Sequence, residues 1–211
     1  MNILDYLDTL NSCYTIEEML AARREAFLGF CAVEKDQGGI DPSKDLRTKD
    51  GQESARLLFA RTIEELGESF ESTDRDHQLE ELIDALNFAL GITWLSPNAT
   101  KLNEDLAKRC AQYFNFTEPF YGQNKRENWD THARWLISQT VVEYGPFLAK
   151  LRNRSWQQST QSPYWLGDTE LLEASHGLIH NICRAFDTWQ HFSGFFMAKH
   201  EVLQFRLRTK Y

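Results

Sequence analysis

The chain has 211 residues, of which 42% are hydrophobic and 26% are charged, and its net charge is −8 at pH 7. That length provides for one large domain or two small ones, and the composition is typical of a globular protein. The negative charge excludes nonspecific binding to a nucleic acid polymer. No apolar run is long enough to cross a membrane. We therefore expect neither a nucleic acid polymer nor a membrane as a partner.

Four cysteines are scattered along the chain without a CxxC pair or zinc-like histidine spacing. Such a pattern predicts reduced structural thiols, which favours a reducing compartment. The N-terminal residues lack the basic and apolar regions of a signal peptide. We therefore expect a cytoplasmic protein. The cysteines are Cys13, Cys31, Cys110 and Cys183.

Apolar residues recur at three- and four-residue steps along most of the chain, which predicts helices. With only 11 glycines and 5 prolines, and without alternating β-branched runs, the sequence favours an all-α fold. Polar, glycine- and proline-containing segments at 36–44, 117–125 and 159–164 predict loops or linkers. The predicted helices cover residues 15–35, 52–72, 77–95, 101–114, 128–154, 168–187 and 190–207.

Two acidic pairs with i, i+3 spacing stand close together in the sequence. Glu65 and Glu68 form the first pair and Glu81 and Asp84 the second, with twelve residues between Glu68 and Glu81. On a helix, this spacing projects both carboxylates of a pair from one face. Twelve residues let the first helix end and a second return antiparallel. Four converging carboxylates repel one another, whereas a hard divalent ion prefers oxygen ligands, so the pattern predicts a metal site.

An internal repeat links the two halves of the chain. Residues 62–67 align with 140–145 at an offset of 78, and residues 81–85 align with 170–174 at an offset of 89. The two parts keep their order. The repeat predicts a helical bundle built from two related helical-hairpin units.

The two units predicted from this repeat span residues 1–114 and 115–211, within one compact body. The first unit carries the complete acidic motif. The second is a degenerate copy that ends in a basic C-terminal motif. Its equivalents of Glu65, Glu81, Asp84 and Glu68 are, in that order, Glu143, Glu170, Glu173 and Pro146.

The acidic motif resembles the signature of a known family. Glu64-Glu-Leu-Gly-Glu68, followed after twelve residues by Glu81-Leu-Ile-Asp84, is similar to the E-E-x-x-E…E-x-x-D signature of the all-α nucleoside triphosphate pyrophosphohydrolases. That superfamily contains the MazG-type enzymes, phosphoribosyl-ATP pyrophosphohydrolase and the dimeric dUTPases. The segment Asp84-Ala-Leu-Asn-Phe88 resembles the dUTPase pattern D-x-x-H-F, with Asn87 in place of histidine.

The C-terminal segment resembles the last motif of the dimeric dUTPases and related phage enzymes, roughly K-N-x-x-N-x-x-R-Q-x-x-G-Y. Lys199, Arg206 and Tyr211 match it. The segment Arg152-Asn-Arg-Ser-Trp156 is loosely similar to the basic–aromatic W-K-W-W-K segment of the same family. The sequence departs from the C-terminal motif at His200, Leu203, Leu207 and Lys210.

The resemblance implies Mg²⁺-dependent hydrolysis of a nucleoside triphosphate to the monophosphate and pyrophosphate, with Mn²⁺ as a possible substitute. It implies that Glu65, Glu68, Glu81 and Asp84 bind the metal, and that Glu68, beside Glu65, activates the attacking water. dUTP or a related deoxynucleotide is the expected substrate. A homodimer is the expected assembly, because the superfamily usually builds its sites at interfaces between helix bundles. Many such enzymes come from phages, and this chain could be one of them. The short segment between the acidic pairs favours a broader deoxynucleotide specificity.

The remaining matched residues are expected to bind the substrate. Lys199 and Arg206 are seven residues apart and share one helix face, where they could clamp the phosphates. Tyr211 could close over the nucleotide, and Asn87 could bond its base or sugar. Trp156, or Phe88 in the acidic motif, could stack on the base.

Two other interpretations stay open. Glu173-Ala-Ser-His176 is a single ExxH motif, of the kind that di-iron carboxylate bundles use in pairs. The degenerate second unit also allows a non-catalytic helical protein that binds a nucleotide or another protein.

Overall fold

A computed structural model describes residues 7–34, 40–113, 129–151 and 165–209. Across these ranges every regular element is a helix and no strand occurs, so the all-α prediction is confirmed. The helices are α1 (Leu7–Leu10), α2 (Ile16–Glu34), α3 (Lys49–Glu71), α4 (Arg75–Thr93), α5 (Ala99–Tyr113), α6 (Trp129–Lys150), α7 (Asp168–Cys183) and α8 (Trp189–Thr209).

The seven predicted helices correspond to α2 to α8, and their ends differ by a few residues. The four-residue helix α1 is too short to produce a periodic pattern, and the sequence did not predict it. Helix α7 ends at Cys183 rather than at 187. Beyond it, the amides of Ala185 and Phe186 donate to carbonyls three residues earlier, which closes the helix with a tight turn. The linker predicted at 117–125 lies outside the described residues.

The turn between α3 and α4 is fixed by side chains at its ends. The amide of Ser72 donates to the carbonyl of Glu68, and the Asp74 carboxylate caps α4 by accepting from the amide of Asp76. The Gln78 amide nitrogen donates to the carbonyl of Ser72 at 2.6 Å. These bonds turn the chain within three residues and bring α4 back along α3.

Helix α4 lies at the centre of the protein. It packs against α3 along its length and also contacts α2, α5, α7 and α8. Most of its side chains are buried, as expected for a helix that is apolar on nearly all sides. Among the polar side chains of α4 that are buried or partly buried, Glu81, Asp84 and Asn87 are spaced by three residues, so they project from one strip of this central helix.

Two antiparallel pairs of helices form most of the bundle. Helix α3 pairs with α4 and α6 pairs with α7, while α3 also packs on α6 and α4 on α7. Helices α2 and α8 pack on each other and cover the polar strip of α4. In the described ranges, no helix combines the length and apolar character needed to cross a membrane. None of the four cysteines is in a disulfide.

Candidate metal and ligand site

Three of the four predicted metal ligands converge between α3 and α4. Carboxylate oxygens of Glu65, Glu68 and Glu81 all lie within 4.8 Å of one another. Glu81 is 8% exposed and Glu65 is half-buried, whereas Glu68 is exposed at the outer side of the group. The i, i+3 spacing on α3 and the antiparallel return of α4 therefore bring Glu81 to the first acidic pair, whereas the predicted fourth member, Asp84, is not part of this group.

The close approach of these acids changes the protonation of Glu65. Burial, a hydrogen bond with Glu81, and the negative charges of Asp84, Glu81 and Glu68 raise the pKa of Glu65 to about 8. The Nδ1 atom of His77 lies 3.0 Å from the Oε1 atom of Glu81, one helical turn away. When no cation is bound, the cluster is therefore expected to retain a proton at neutral pH, which is the usual response of repelling carboxylates.

The fourth predicted ligand, Asp84, has a different partner. The ammonium of Lys199 on α8 lies 2.6 Å from Oδ2 of Asp84 and 2.6 Å from Oε1 of Glu80. Lys199 is only 2% exposed. Burial opposes its charge, but Asp84 and Glu80 outweigh this effect and raise the pKa of Lys199. The structure therefore places Asp84 beside the three-glutamate cluster, in an ion pair.

The donor set fits a hard divalent cation. Mg²⁺ takes oxygen ligands at about 2.0–2.1 Å, so two of its ligands can be about 4 Å apart, close to the spacing of these glutamate oxygens. Five carboxylates gather here against the one ammonium of Lys199. The local excess of negative charge favours cation binding, and Glu65, Glu68 and Glu81 are the residues that would hold the ion.

A cavity of about 290 Å³ opens beside the cluster, between α2, α3, α4 and α8. Its volume is near the lower end of the range for small-ligand pockets. Glu65 and Asp84 line its acidic end, and the rest of the wall is mainly apolar and aromatic. The apolar lining includes Phe27, Phe30, Leu58, Phe88 and Leu203.

Two buried polar side chains also line this cavity. The Nδ2 atom of Asn87 is buried and has no hydrogen-bond partner among the described residues. Arg23 is 6% exposed, and its Nε atom donates to the carbonyl of Asn87 at 2.6 Å. A buried donor without an acceptor costs about 1–3 kcal/mol. A ligand that offers an acceptor in the cavity would recover this cost.

The other predicted substrate residues divide into two groups. Arg206 lines the cavity, whereas Lys199 is engaged by two carboxylates, so the two members of the predicted phosphate clamp have different surroundings. Tyr211 and Trp156 lie outside the described residues. Their predicted roles, like that of Lys199 as a phosphate ligand, stay predictions.

The acids of the second helical pair do not form a comparable cluster. Glu143 accepts a hydrogen bond from the Asn181 amide at 3.1 Å. Glu170 pairs with Lys150 at 3.0 Å, and Glu173 pairs with an arginine of α5, Arg109. Basic partners thus neutralise two of these acids on the protein surface.

The ExxH motif of α7 is not arranged as half of a di-iron site. The carboxylate of Glu173 is exposed and ion-paired with Arg109, so it does not point into the bundle interior. Within the described ranges, the only cluster of His, Cys, Asp and Glu side chains with metal-ligand spacing is the three-glutamate group. The geometry therefore disfavours the di-iron interpretation.

Sequence reasoning missed Arg23. It stands on the same face of α2 as the apolar residues that predicted the helix. The signal that could have identified it is a positively charged residue within an otherwise apolar helix face. That face contains Ile16, Met19, Leu20, Arg23, Phe27 and Cys31.

Comparison with protein-family models gives no match, and neither a curated protein nor a solved structure matches the chain significantly.

Proposed function

We propose that this protein is a divalent-metal-dependent nucleoside triphosphate pyrophosphohydrolase that acts on dUTP or a related deoxynucleotide. The observation that carries the proposal is that Glu65 belongs to both parts of the site. Its carboxylate is one of the three clustered glutamates, and its side chain lines the cavity with the buried donors. A metal ion in the cluster would therefore touch the phosphates of a nucleotide seated in the cavity.

Each part of the site has a distinct role in this reaction. Mg²⁺, or Mn²⁺ in its place, would neutralise phosphate charge and lower the pKa of the attacking water. Glu68, the most exposed of the three acids, orients that water and accepts its proton, with Glu65 beside it. The water oxygen bonds to phosphorus, the P–O bond between the α- and β-phosphates breaks, and pyrophosphate leaves. Arg206, at the cavity wall, stabilises the charge on the leaving group.

The burial pattern supports the proposed repeat of two related hairpins. Thr62 and Thr140 are both fully buried, and each donates its hydroxyl to the carbonyl four residues earlier, at 2.9 and 2.8 Å. Every buried position of α6 lies 78 residues after a buried position of α3. The buried residues Gly51, Ala55, Leu58, Thr62, Leu66 and Ser69 of α3 correspond to Trp129, Ala133, Leu136, Thr140, Tyr144 and Phe147 of α6.

The homodimer is part of the same proposal, and an exposed apolar face of α6 supports it. Trp135, Val141 and Val142 are 38%, 49% and 67% exposed. Between Trp135 and Ala149, the exposed positions of α6 carry no charged residue. For a chain with a net charge of −8, an uncharged face is where a second copy can approach without repulsion.

A non-catalytic nucleotide-binding protein is the second candidate, and the Lys199–Asp84 pair is the observation that favours it. An acid that is committed to a buried ammonium is one fewer ligand for the metal. Such a protein would bind the nucleotide without releasing pyrophosphate.

The test is product analysis with a panel of canonical and modified deoxynucleoside triphosphates, in the presence of Mg²⁺ or Mn²⁺. Monophosphate and pyrophosphate are the products that the proposal predicts. Binding without turnover would favour the non-catalytic candidate. Diphosphate and phosphate, or neither binding nor hydrolysis, would overturn the proposal.

A further inference from the structure

Arg23 is a buried cation that makes no ion pair with a described residue, although the negative charge of Asp84 acts on it from the same cavity. Among the residues that the structure describes, no carboxylate lies within ion-pair distance of its guanidinium. Its Nε atom is bonded to a backbone carbonyl, and its two terminal nitrogens have no hydrogen-bond partner in the same part of the chain. Burial lowers the pKa of Arg23 to about 10, so the group stays charged at neutral pH. Buried charges are ordinarily paired, so a buried guanidinium without an ion pair is unusual.

The surroundings of Arg23 hold its guanidinium in a fixed place. Its Cζ atom lies 5.5 Å from the centre of the Phe27 ring, one turn along α2. A Cβ atom built on Gly91 of α4 would lie 3.1 Å from the Nη2 atom of Arg23. Gly91, in the last turn of α4, therefore leaves room for the guanidinium, which a larger side chain at this position would displace.

Arg23 and the acidic cluster contact different parts of α4. The clustered acid of α4 is Glu81, whereas Arg23 contacts α4 at Asn87 and Gly91. With a rise of about 1.5 Å per residue, Asn87 is about 9 Å and Gly91 about 15 Å further along the helix. A nucleotide whose phosphates face the glutamates would place its base toward Arg23, among the aromatic side chains of the cavity.

We propose that Arg23 determines base specificity by donating hydrogen bonds to an exocyclic oxygen of the nucleobase, with Asn87 as a second donor. The inference rests on the proposed function, because it assumes a nucleotide in the cavity. A guanidinium has five N–H donors and no acceptor. It pairs with a base oxygen such as O4 of uracil or O6 of hypoxanthine, and it opposes the amino group that cytosine and adenine carry at the same position.

The experiment compares two pairs of substrates that differ at this position, dUTP with dCTP and dITP with dATP, at saturating Mg²⁺. We expect the wild-type protein to hydrolyse the oxygen-bearing member of a pair with the higher kcat/KM. Arg23→Met keeps the apolar stem and removes the donors. It should lower kcat/KM for the oxygen-bearing member by about 10–100-fold, the value of a charge-assisted hydrogen bond, and for the amino-bearing member by less than about threefold.

The matched control is Arg24→Met, one residue further along α2. It removes the same charge from an exposed side chain that stacks over Trp94 instead of lining the cavity. This control should leave the preference between the two members of each pair unchanged.

Gly91→Ala is the second variant, and we expect it to fold. Its methyl group displaces the guanidinium without removing it, while alanine favours the helix. We expect a reduced preference for the oxygen-bearing base and no loss of thermal stability. An unchanged preference in both Arg23→Met and Gly91→Ala overturns the inference.

The outcomes separate this inference from the proposed function. An equal loss for both members of a pair, or a wild-type protein without the oxygen preference, overturns the role of Arg23 while pyrophosphate release still supports the proposed function. Absence of pyrophosphate release from all four nucleotides overturns the proposed function, and the inference with it.

Discussion

The ammonium of Lys199 and the carboxylate of Asp84 form a buried ion pair at 2.6 Å, which joins α8 to the central helix α4. Glu80 lies at the same distance from the ammonium, so one cation serves two acids. The pair separates Asp84 from the three glutamates that converge one turn away. It divides the predicted four-acid cluster into three glutamates with the spacing of metal ligands and one acid, Asp84, that anchors α8.

Replacement of Lys199 by methionine should strongly destabilise the fold. Removing one partner of a buried ion pair leaves an uncompensated charge and typically costs about 3–5 kcal/mol. The free energy of unfolding, measured by urea denaturation, checks this value. Lys150→Met is the matched control because its pair with Glu170 is more open to solvent than the Lys199 pair, with side-chain exposures of 46% and 25%, so its loss should cost less than about 1 kcal/mol. Equal stability of the two variants would contradict the structural role of Lys199.

The raised pKa of Glu65 predicts a pH dependence of stability. In the folded protein without metal, Glu65 keeps its carboxyl proton up to about pH 8, whereas the ordinary pKa of a glutamate is 4.5. Since the folded state binds more protons than the unfolded chain in this window, the contribution of Glu65 to stability falls as pH rises from 4.5 toward 8. Glu65→Gln removes the titrating carboxyl group, and with it this loss of stability at higher pH. Solvent screening of the half-exposed group keeps the effect small.

Thermal unfolding in EDTA at several pH values checks this prediction. Glu65→Gln should melt above the wild-type protein at pH 8, by about 2–4 °C if the gain is about 1 kcal/mol. The two proteins should converge near pH 5. A difference that is the same at both pH values would show that Glu65 does not titrate in this range.

Metal binding should release protons at neutral pH. A cation in the cluster stabilises the ionised form of Glu65, so its proton leaves when the metal binds. We therefore expect the apparent affinity for Mg²⁺ to rise between pH 6 and pH 8. Calorimetric titrations in buffers with different ionisation enthalpies measure the protons released. The same apparent affinity at pH 6 and pH 8, without proton release, would contradict this site.

The exposed face of α6 predicts the oligomeric state. Val142→Glu introduces a charge at the most exposed valine of that face and should convert a dimer to a monomer. Light scattering after size-exclusion chromatography measures the mass of each. Glu53→Gln, on the exposed surface of α3, provides a control that should stay dimeric. A wild-type monomer at micromolar concentration would refute the dimer.

Much of the fold could be predicted from the sequence because helix periodicity is a local property. The acidic pairs were also predictable, since their i, i+3 spacing and the short turn fix their relative placement. By contrast, the partner of Asp84 depends on how α8 packs on α4, 115 residues later in the chain. No local pattern carries that information, so Lys199 was predicted as a phosphate ligand while the structure places it between two carboxylates.

The cavity could not be predicted from the sequence either, because no local pattern shows how distant helices pack. Its wall combines residues of α2, α3, α4 and α8 that are far apart in the chain. Asn87 was singled out by its place in the acidic motif, but the buried donor next to it, Arg23, was not. The end of α7 was also missed, because the tight turn after Cys183 is set by backbone bonds rather than by a glycine or proline.

The measurement that tests the central claim most directly is pyrophosphate release from dUTP by wild-type protein, Glu68→Gln and Glu64→Gln, each with Mg²⁺ and with EDTA. Glu68 belongs to the cluster, whereas Glu64 is an exposed acid of the same helix that pairs with Arg61 at 2.6 Å. We predict Mg²⁺-dependent release by the wild-type protein and by Glu64→Gln, and a loss of at least about 100-fold for Glu68→Gln. Undiminished release by Glu68→Gln, or release that persists in EDTA, would contradict the account.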